Sequence, residues 1–171
     1  MIPKPLTTEY NPYFSTYIDL VPSGADVSEC LEDNMMDTES LILSIPKKKL
    51  EFRYAEGKWT IKEIIQHLID CERIFCFRAL CIARGEKTNL PSFEENDYAD
   101  NSFANDRDID SLLDEFDQVR NCTMSMFRSF DPSVLSNIGT ANDHPLSVRA
   151  IAHILVGHEL HHMKVIEERY L

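Results

Sequence analysis

The stretch Ser147-Val-Arg-Ala-Ile-Ala-His-Ile-Leu-Val-Gly-His-Glu-Leu-His-His-Met-Lys-Val-Ile166 reads as one long helix. At helical period its inward face carries Val148, Ile151, Leu155, His158, His162 and Val165. Two successive core positions therefore hold imidazoles where aliphatic side chains are the rule. An i, i+4 pair sets both rings on one side of a helix, a turn apart, able to share one metal ion. Two hydrogen-bonded core histidines meet the same pattern. The choice between these readings rests on what the remainder of the chain supplies.

Upstream, three more helices are legible. One runs from about Asp26 to Ser44, with Val27, Leu31, Met35, Thr38, Ile42 and Ile45 on one side, and Pro46 stops it. The next has the clearest start in the chain: Thr60 caps, Glu63 reaches back, and Trp59 and Ile64 form a hydrophobic staple. It runs to about Arg84, ahead of Gly85, and is apolar on most of its circumference, from Ile61 to Ile82. Such a helix is either central to a bundle or shared with a second subunit, the second case being a homodimer. The third covers roughly 107–129, with Ile109, Leu112, Phe116, Val119, Thr123 and Met126 on its stripe, which Phe130 continues.

The helices are joined by long connections. Residues 85–106 are polar, acidic and broken by Gly85 and Pro91, longer than an antiparallel hairpin needs. They read as a crossover along a bundle. Residues 131–146 form a second loop, and no strand alternation is visible. Residues 1–22 hold Pro3, Pro5, Pro12 and Pro22 among Tyr10, Tyr13, Phe14 and Tyr17. That density of proline excludes a long helix, leaving an aromatic arm over the domain with a short helical piece at 11–20. The expected fold is all-α, a four-helix bundle of one domain spanning 1–171.

Composition limits the function. With 171 residues the chain is long enough for a substantial core. A formal charge of −12 without a basic stripe argues against nucleic-acid partners. No apolar run reaches membrane-spanning length, and Met1-Ile2-Pro3-Lys4-Pro5 lacks the apolar region of a signal peptide. Cys30, Cys71, Cys76, Cys81 and Cys122 form no CxxC pair and read as reduced thiols of a cytoplasmic protein.

The second long helix contributes His67, flanked by apolar residues. One histidine there and an i, i+4 pair on the last helix are able to close a three-nitrogen site inside a bundle. Three protein ligands leave a position open, which reads as catalytic rather than structural.

These motifs also carry a resemblance. Gly-Lys-Trp-Thr-Ile-Lys-Glu-Ile-Ile-Gln-His-Leu-Ile-Asp (57–70), Glu-Arg-Ile-Phe-Cys-Phe-Arg-Ala-Leu-Cys-Ile-Ala-Arg-Gly (72–85) and Gly-His-Glu-Leu-His-His (157–162) resemble the DinB/YfiT-like superfamily. The resemblance implies an up-down-down-up four-helix bundle, with a divalent metal on His67, His158 and His162. It further implies thiol-dependent transfer with a low-molecular-weight thiol, or metal-dependent hydrolysis, on a small-molecule substrate. Imidazole suits zinc, nickel, copper or iron, with geometry deciding among them, and zinc or nickel is the ion expected.

Other side chains are candidates for lesser roles. Asp70, three residues after His67, either orients its ring or serves as base, or is a helix carboxylate paired with Arg73. Cys71 lies one turn beyond His67, as a buried thiol, a fourth ligand or a nucleophile. His161 sits beside the stripe, His153 points to the far side and is expected to be exposed, and His144 belongs to the loop surface or a pocket mouth. Glu94, Glu95 and Asp97 read as a solvated crossover. The expected function is a metal-dependent enzyme, with a non-enzymatic metal-binding or stress-response bundle as the alternative. An enzyme needs a cleft reaching the metal, and a storage site should be sealed.

Overall fold

Three of the four long helices start at a side-chain cap in the computed structural model, which describes residues 1–171. A short helix α1 (Ser15–Ile18), with 3-10 turns at Thr7–Glu9 and Pro12–Phe14, forms the arm. Helix α2 spans Val27–Ser44, and the Asp26 carboxylate accepts from the Ser28 N–H at its start. Helix α3 spans Ile61–Ala83 and carries the full capping box: Thr60 Oγ1 accepts from the Glu63 N–H, and Glu63 accepts from the Thr60 N–H. After a short α4 (Glu95–Asp100) come α5 (Ile109–Ser129) and α6 (Val148–Arg169), the last capped by Ser147.

Helix α3 packs on α5 and α6, and α2 packs on the same two helices from the other side. Pairs between α3 and α5 rise together, Arg73 with Glu115 and Cys76 with Thr123. Pairs between α2 and α6 do likewise, Asn34 with Val156 and Thr38 with Glu159. Between α3 and α6 the order reverses: Trp59, just ahead of α3, meets Tyr170, and His67 meets His158.

The two long connections are more structured than their composition implies. Strand β1 (Asn89–Leu90) pairs in parallel with β2 (Ile138–Ala141), which forms an antiparallel hairpin with β3 (His144–Ser147). The all-α expectation is corrected by this three-stranded sheet. Its hairpin turns on Asn142 and Asp143, both at positive φ (50° and 61°), the conformation of a two-residue primed turn. Asn89 clamps the turn by donating to Asp143 Oδ1 and accepting from its N–H.

The apolar interior falls into two clusters. One holds Val27 and Leu31, Phe75 to Ala83, Met124 to Phe130 and Val148 to Val156, with the arm and the sheet against it. The other holds Ile42 and Ile45, Ile61 to Ile69, Ile109 to Phe116, and Ile166. Between them lies a polar waist of Thr38, His67, Glu72, Arg120, Thr123, His158 and Glu159, all buried. The arm covers the first half of α6, so every residue from Ala150 to Glu159 is buried. His153 is therefore buried rather than exposed, with Nδ1 2.9 Å from the Arg149 carbonyl. The apolar circumference of α3 resolves into core faces plus an exposed pair, Phe77 and Leu80. No helix is long and apolar enough to cross a membrane.

Candidate metal centre

At one side of the waist three imidazoles face one another. His67 Nε2, on α3, is 3.0 Å from His158 Nε2, on α6, although 91 residues separate them. His162 Nε2 is 3.1 Å from the same His158 atom. The ring centroids form a triangle with sides of 5.0, 4.9 and 4.6 Å. The helical offset of four residues aligns the α6 pair, and the opposed run of α3 brings His67 against it.

The electrostatics of this cluster follow from its burial. Loss of water lowers the His67 pKa to about 4 and holds His158 and His162 well below the ordinary imidazole range, helped at each of these two by neighbouring rings. All three rings are thus neutral, with lone pairs to give. A neutral Nε2 has one in-plane site, either a proton or a lone pair. His158 Nε2 cannot make a good hydrogen bond to both neighbours at once. The buried His162 Nδ1 has no partner either.

Cys71 joins the cluster more closely than its place in a helix foretells. Its Sγ lies 3.6 Å from both His67 ring nitrogens, and the ligand atoms of His67, Cys71 and His158 all fall within 4.8 Å of one another. Burial pushes the Cys71 thiol pKa upward. Asp70 is placed elsewhere. It accepts from Gln66 and stands 3.9 Å from Arg73, with no bond to the His67 ring.

Aromatic rings enclose the imidazoles. Trp59 lies 4.5 Å from the His67 ring, and Tyr17 lies 5.1 Å from His158 and 5.5 Å from His161. Tyr17 reaches this position because α6 presents a glycine to the arm. A Cβ on Gly157 would stand 2.0 Å from the Tyr17 carbonyl oxygen, which is backbone and has little room to yield. Gly157→Ala should push the arm off α6, costing about 1–3 kcal/mol. Limited proteolysis should then cut the arm faster; unchanged cleavage and melting temperature would mean the arm is not seated there.

A cavity of about 260 Å³ reaches His67, Cys71 and His158 from outside. Its walls come from the arm (Asn11, Tyr13, Phe14, Tyr17), from α3 (Phe75, Arg78), from the crossover (Ser92, Phe93, Glu95) and from the hairpin. His144 stands exposed at this mouth. A second, shallower opening reaches His162 past Trp59, His161 and Tyr170, and Glu95 borders both. The composition of the crossover concealed Glu95 and Phe93 as wall residues, because acidity alone describes solvent as well as a rim. Arg78 was equally hidden, although it continues the His67, Cys71, Phe75 row of α3 at helical spacing.

A model of the DinB superfamily matches residues 31–166. No curated protein matches the chain. Among solved structures, YfiT from Bacillus subtilis is described as a probable metal-dependent hydrolase with an unusual four-helix bundle topology. It superposes with a TM-score of 0.76, over 90% of this chain and 95% of its own, at 14% identity. That likeness speaks for the shared bundle fold. The family match takes in α3 and α5 whole and most of α2 and α6, and the chain belongs to the DinB superfamily.

Proposed function

We propose that His67, His158 and His162 hold a single divalent metal ion, zinc or nickel, and that the protein is a metal-dependent enzyme acting on a small molecule. The carrying observation is the set of short Nε2 contacts at His158, 3.0 and 3.1 Å, among neutral rings. Two nitrogens bound to one ion at ~2.0–2.1 Å, at angles between square and tetrahedral, stand ~2.8–3.4 Å apart. A shared cation satisfies both contacts, where a hydrogen bond satisfies only one. Cys71, 3.6 Å from His67, is a further donor beside the trio.

When bound, such an ion supplies Lewis acidity at the foot of the cavity. The chain's own groups do the rest. Trp59 and Tyr17 exclude water from the imidazoles on two sides. Glu95 is the carboxylate bordering both openings, so it is better placed than Asp70 to take up a proton. The cavity leading to His67 and His158 favours an enzyme over a sealed storage site. Hydrolysis by water and transfer of a low-molecular-weight thiol both fit an external nucleophile entering there. The up-down-down-up order belongs to the same reading, supported by the pairs that rise together between α3 and α5 and between α2 and α6.

Elemental analysis of the purified protein should find a single zinc or nickel ion per chain, lost in His158→Ala. Screens for ester or amide hydrolysis and for thiol transfer should find activity that a chelator abolishes and metal restores. A parent protein that retains no divalent ion when supplied with zinc and nickel sinks the proposal.

A further inference from the structure

Three cationic side chains are buried in this protein, and Arg78 differs from the other two. Lys62 meets Glu51 at 2.7 Å, and Arg120 meets Glu72 and Glu159 at 2.8 Å each. Arg78 is 5% exposed and has no carboxylate within ion-pair distance. Its one hydrogen bond runs from Nη2 to the Pro91 carbonyl at 2.6 Å, and its guanidinium lies over Phe75 and Phe93, 5.2 and 5.9 Å from the ring centres. A guanidinium has five donors, so four are left without a protein partner. Arg78 also lines the cavity that reaches His67, on the same row of α3. The guanidinium lies over Phe75, the next residue of that row toward Cys71 and His67, and Arg78 also borders a separate opening beside Phe77 and Tyr98. Its free donors open onto the cavity, where a counter-charge offsets the cost of holding a cation in this low-dielectric wall.

Resting on the proposed function above, we infer that Arg78 anchors a carboxylate of the small-molecule substrate, whose apolar or aromatic body lies against Phe14, Phe75 and Tyr17. The planar fork of a guanidinium matches a carboxylate with two parallel hydrogen bonds. A phosphate dianion fits less well. The cavity holds no second buried cation, no lysine and no glycine-rich loop, and Glu95 sets a negative charge at its rim. The ring faces under Arg78 hold the guanidinium in place and leave its edge to the ligand.

Phenylacetate and its uncharged counterpart phenylacetamide separate charge from shape, and calorimetry on metal-stripped protein removes any carboxylate–metal contact. The parent should bind phenylacetate at least about tenfold more tightly than the amide. Arg78→Gln should erase that preference, and Arg78→Lys should retain part of it. Glu95→Gln, at an exposed position, should tighten phenylacetate binding by about two- to fivefold, because it removes a like charge from the rim. Equal affinities for the two probes in the parent overturn the inference, as does a preference that survives Arg78→Gln. If Arg78→Gln does not fold, the sign of the Glu95→Gln effect decides: no tightening counts against it. Metal content of the same preparations before stripping tests the other reading separately. Ions held without a carboxylate preference sink this inference alone, and a preference without ions sinks the metal centre alone.

Discussion

Arg120→Met should destabilise the protein by about 3–5 kcal/mol, lowering Tm by roughly 6–20 °C. Arg120, on α5 and 1% exposed, ties all four long helices together at the waist. Its Nε and Nη2 donate to the Glu72 carboxylate of α3 at 2.9 and 2.8 Å, and Nη1 donates to the Leu31 carbonyl of α2 at 2.8 Å. The same Nη1 stands 2.8 Å from Glu159 of α6, which also accepts from Thr38 of α2 at 2.7 Å. Without the guanidinium two carboxylates are left buried together, with no counter-charge. Burial already holds the Glu159 carboxyl above its ordinary range even beside Arg120, and losing that partner raises its folded pKa further above the unfolded one. The variant should therefore regain stability toward acid and lose it as pH rises, when urea unfolding is followed across pH. Glu72→Gln with Glu159→Gln in the Arg120→Met background should restore much of the loss, since no buried charge remains. A loss below about 1 kcal/mol for Arg120→Met alone would show that the waist is held by apolar packing instead.

The helices were legible because their signals are local. Thr60 and Glu63 sit three residues apart, Ser147 caps its own helix, and Pro46 follows the first long helix, so the observed Val27–Ser44, Ile61–Ala83 and Ile109–Ser129 lie within about two residues of expectation. What escaped depends on partners remote in the chain. The β2–β3 hairpin is four residues a side without alternation, and its Asn142-Asp143 turn was its only marker. His153 is buried because the arm covers α6, a contact that no periodicity within α6 encodes. Periodicity put His158 and His162 on one face, and neighbours on a helix face different ways, so Glu159 points to another. It did not reveal that this other face is also interior, where Arg120 receives the carboxylate. Arg78 and Glu95 were missed for a related reason: a charged residue in a sequence does not show whether it faces a cavity until the walls are assembled.

Chelation should lower the Tm of the metal-loaded protein, and restoring the ion should raise it again. A ligand that binds only the folded state stabilises it by RT ln(1 + [L]/Kd), about 2.7 kcal/mol at one hundred times Kd. For a chain of this size that corresponds to roughly 5–11 °C. His162→Ala should abolish the response, because the remaining pair binds far less tightly. His161→Ala should keep it, because that ring is half-exposed and packs against Tyr17 at 5.5 Å. Acid must be kept apart from this test, since it acts even on the metal-free protein. The folded pKa values of His67, His158 and His162 lie below the unfolded value of 6.5. Below pH 6.5 the unfolded chain therefore binds more protons, and stability falls as pH falls. His67 alone, with its pKa of about 4, accounts for a loss on the order of 3 kcal/mol between pH 6.5 and 4. Bound metal steepens the acid limb, because protons compete for the same lone pairs. The chelator comparison therefore belongs near pH 7.5, where all three rings are neutral in both states. An unchanged Tm there, for protein shown to carry its ion, would mean that the ion lies outside the imidazole cluster. Loss of the response in His161→Ala but not in His162→Ala would move the third ligand to the neighbouring ring.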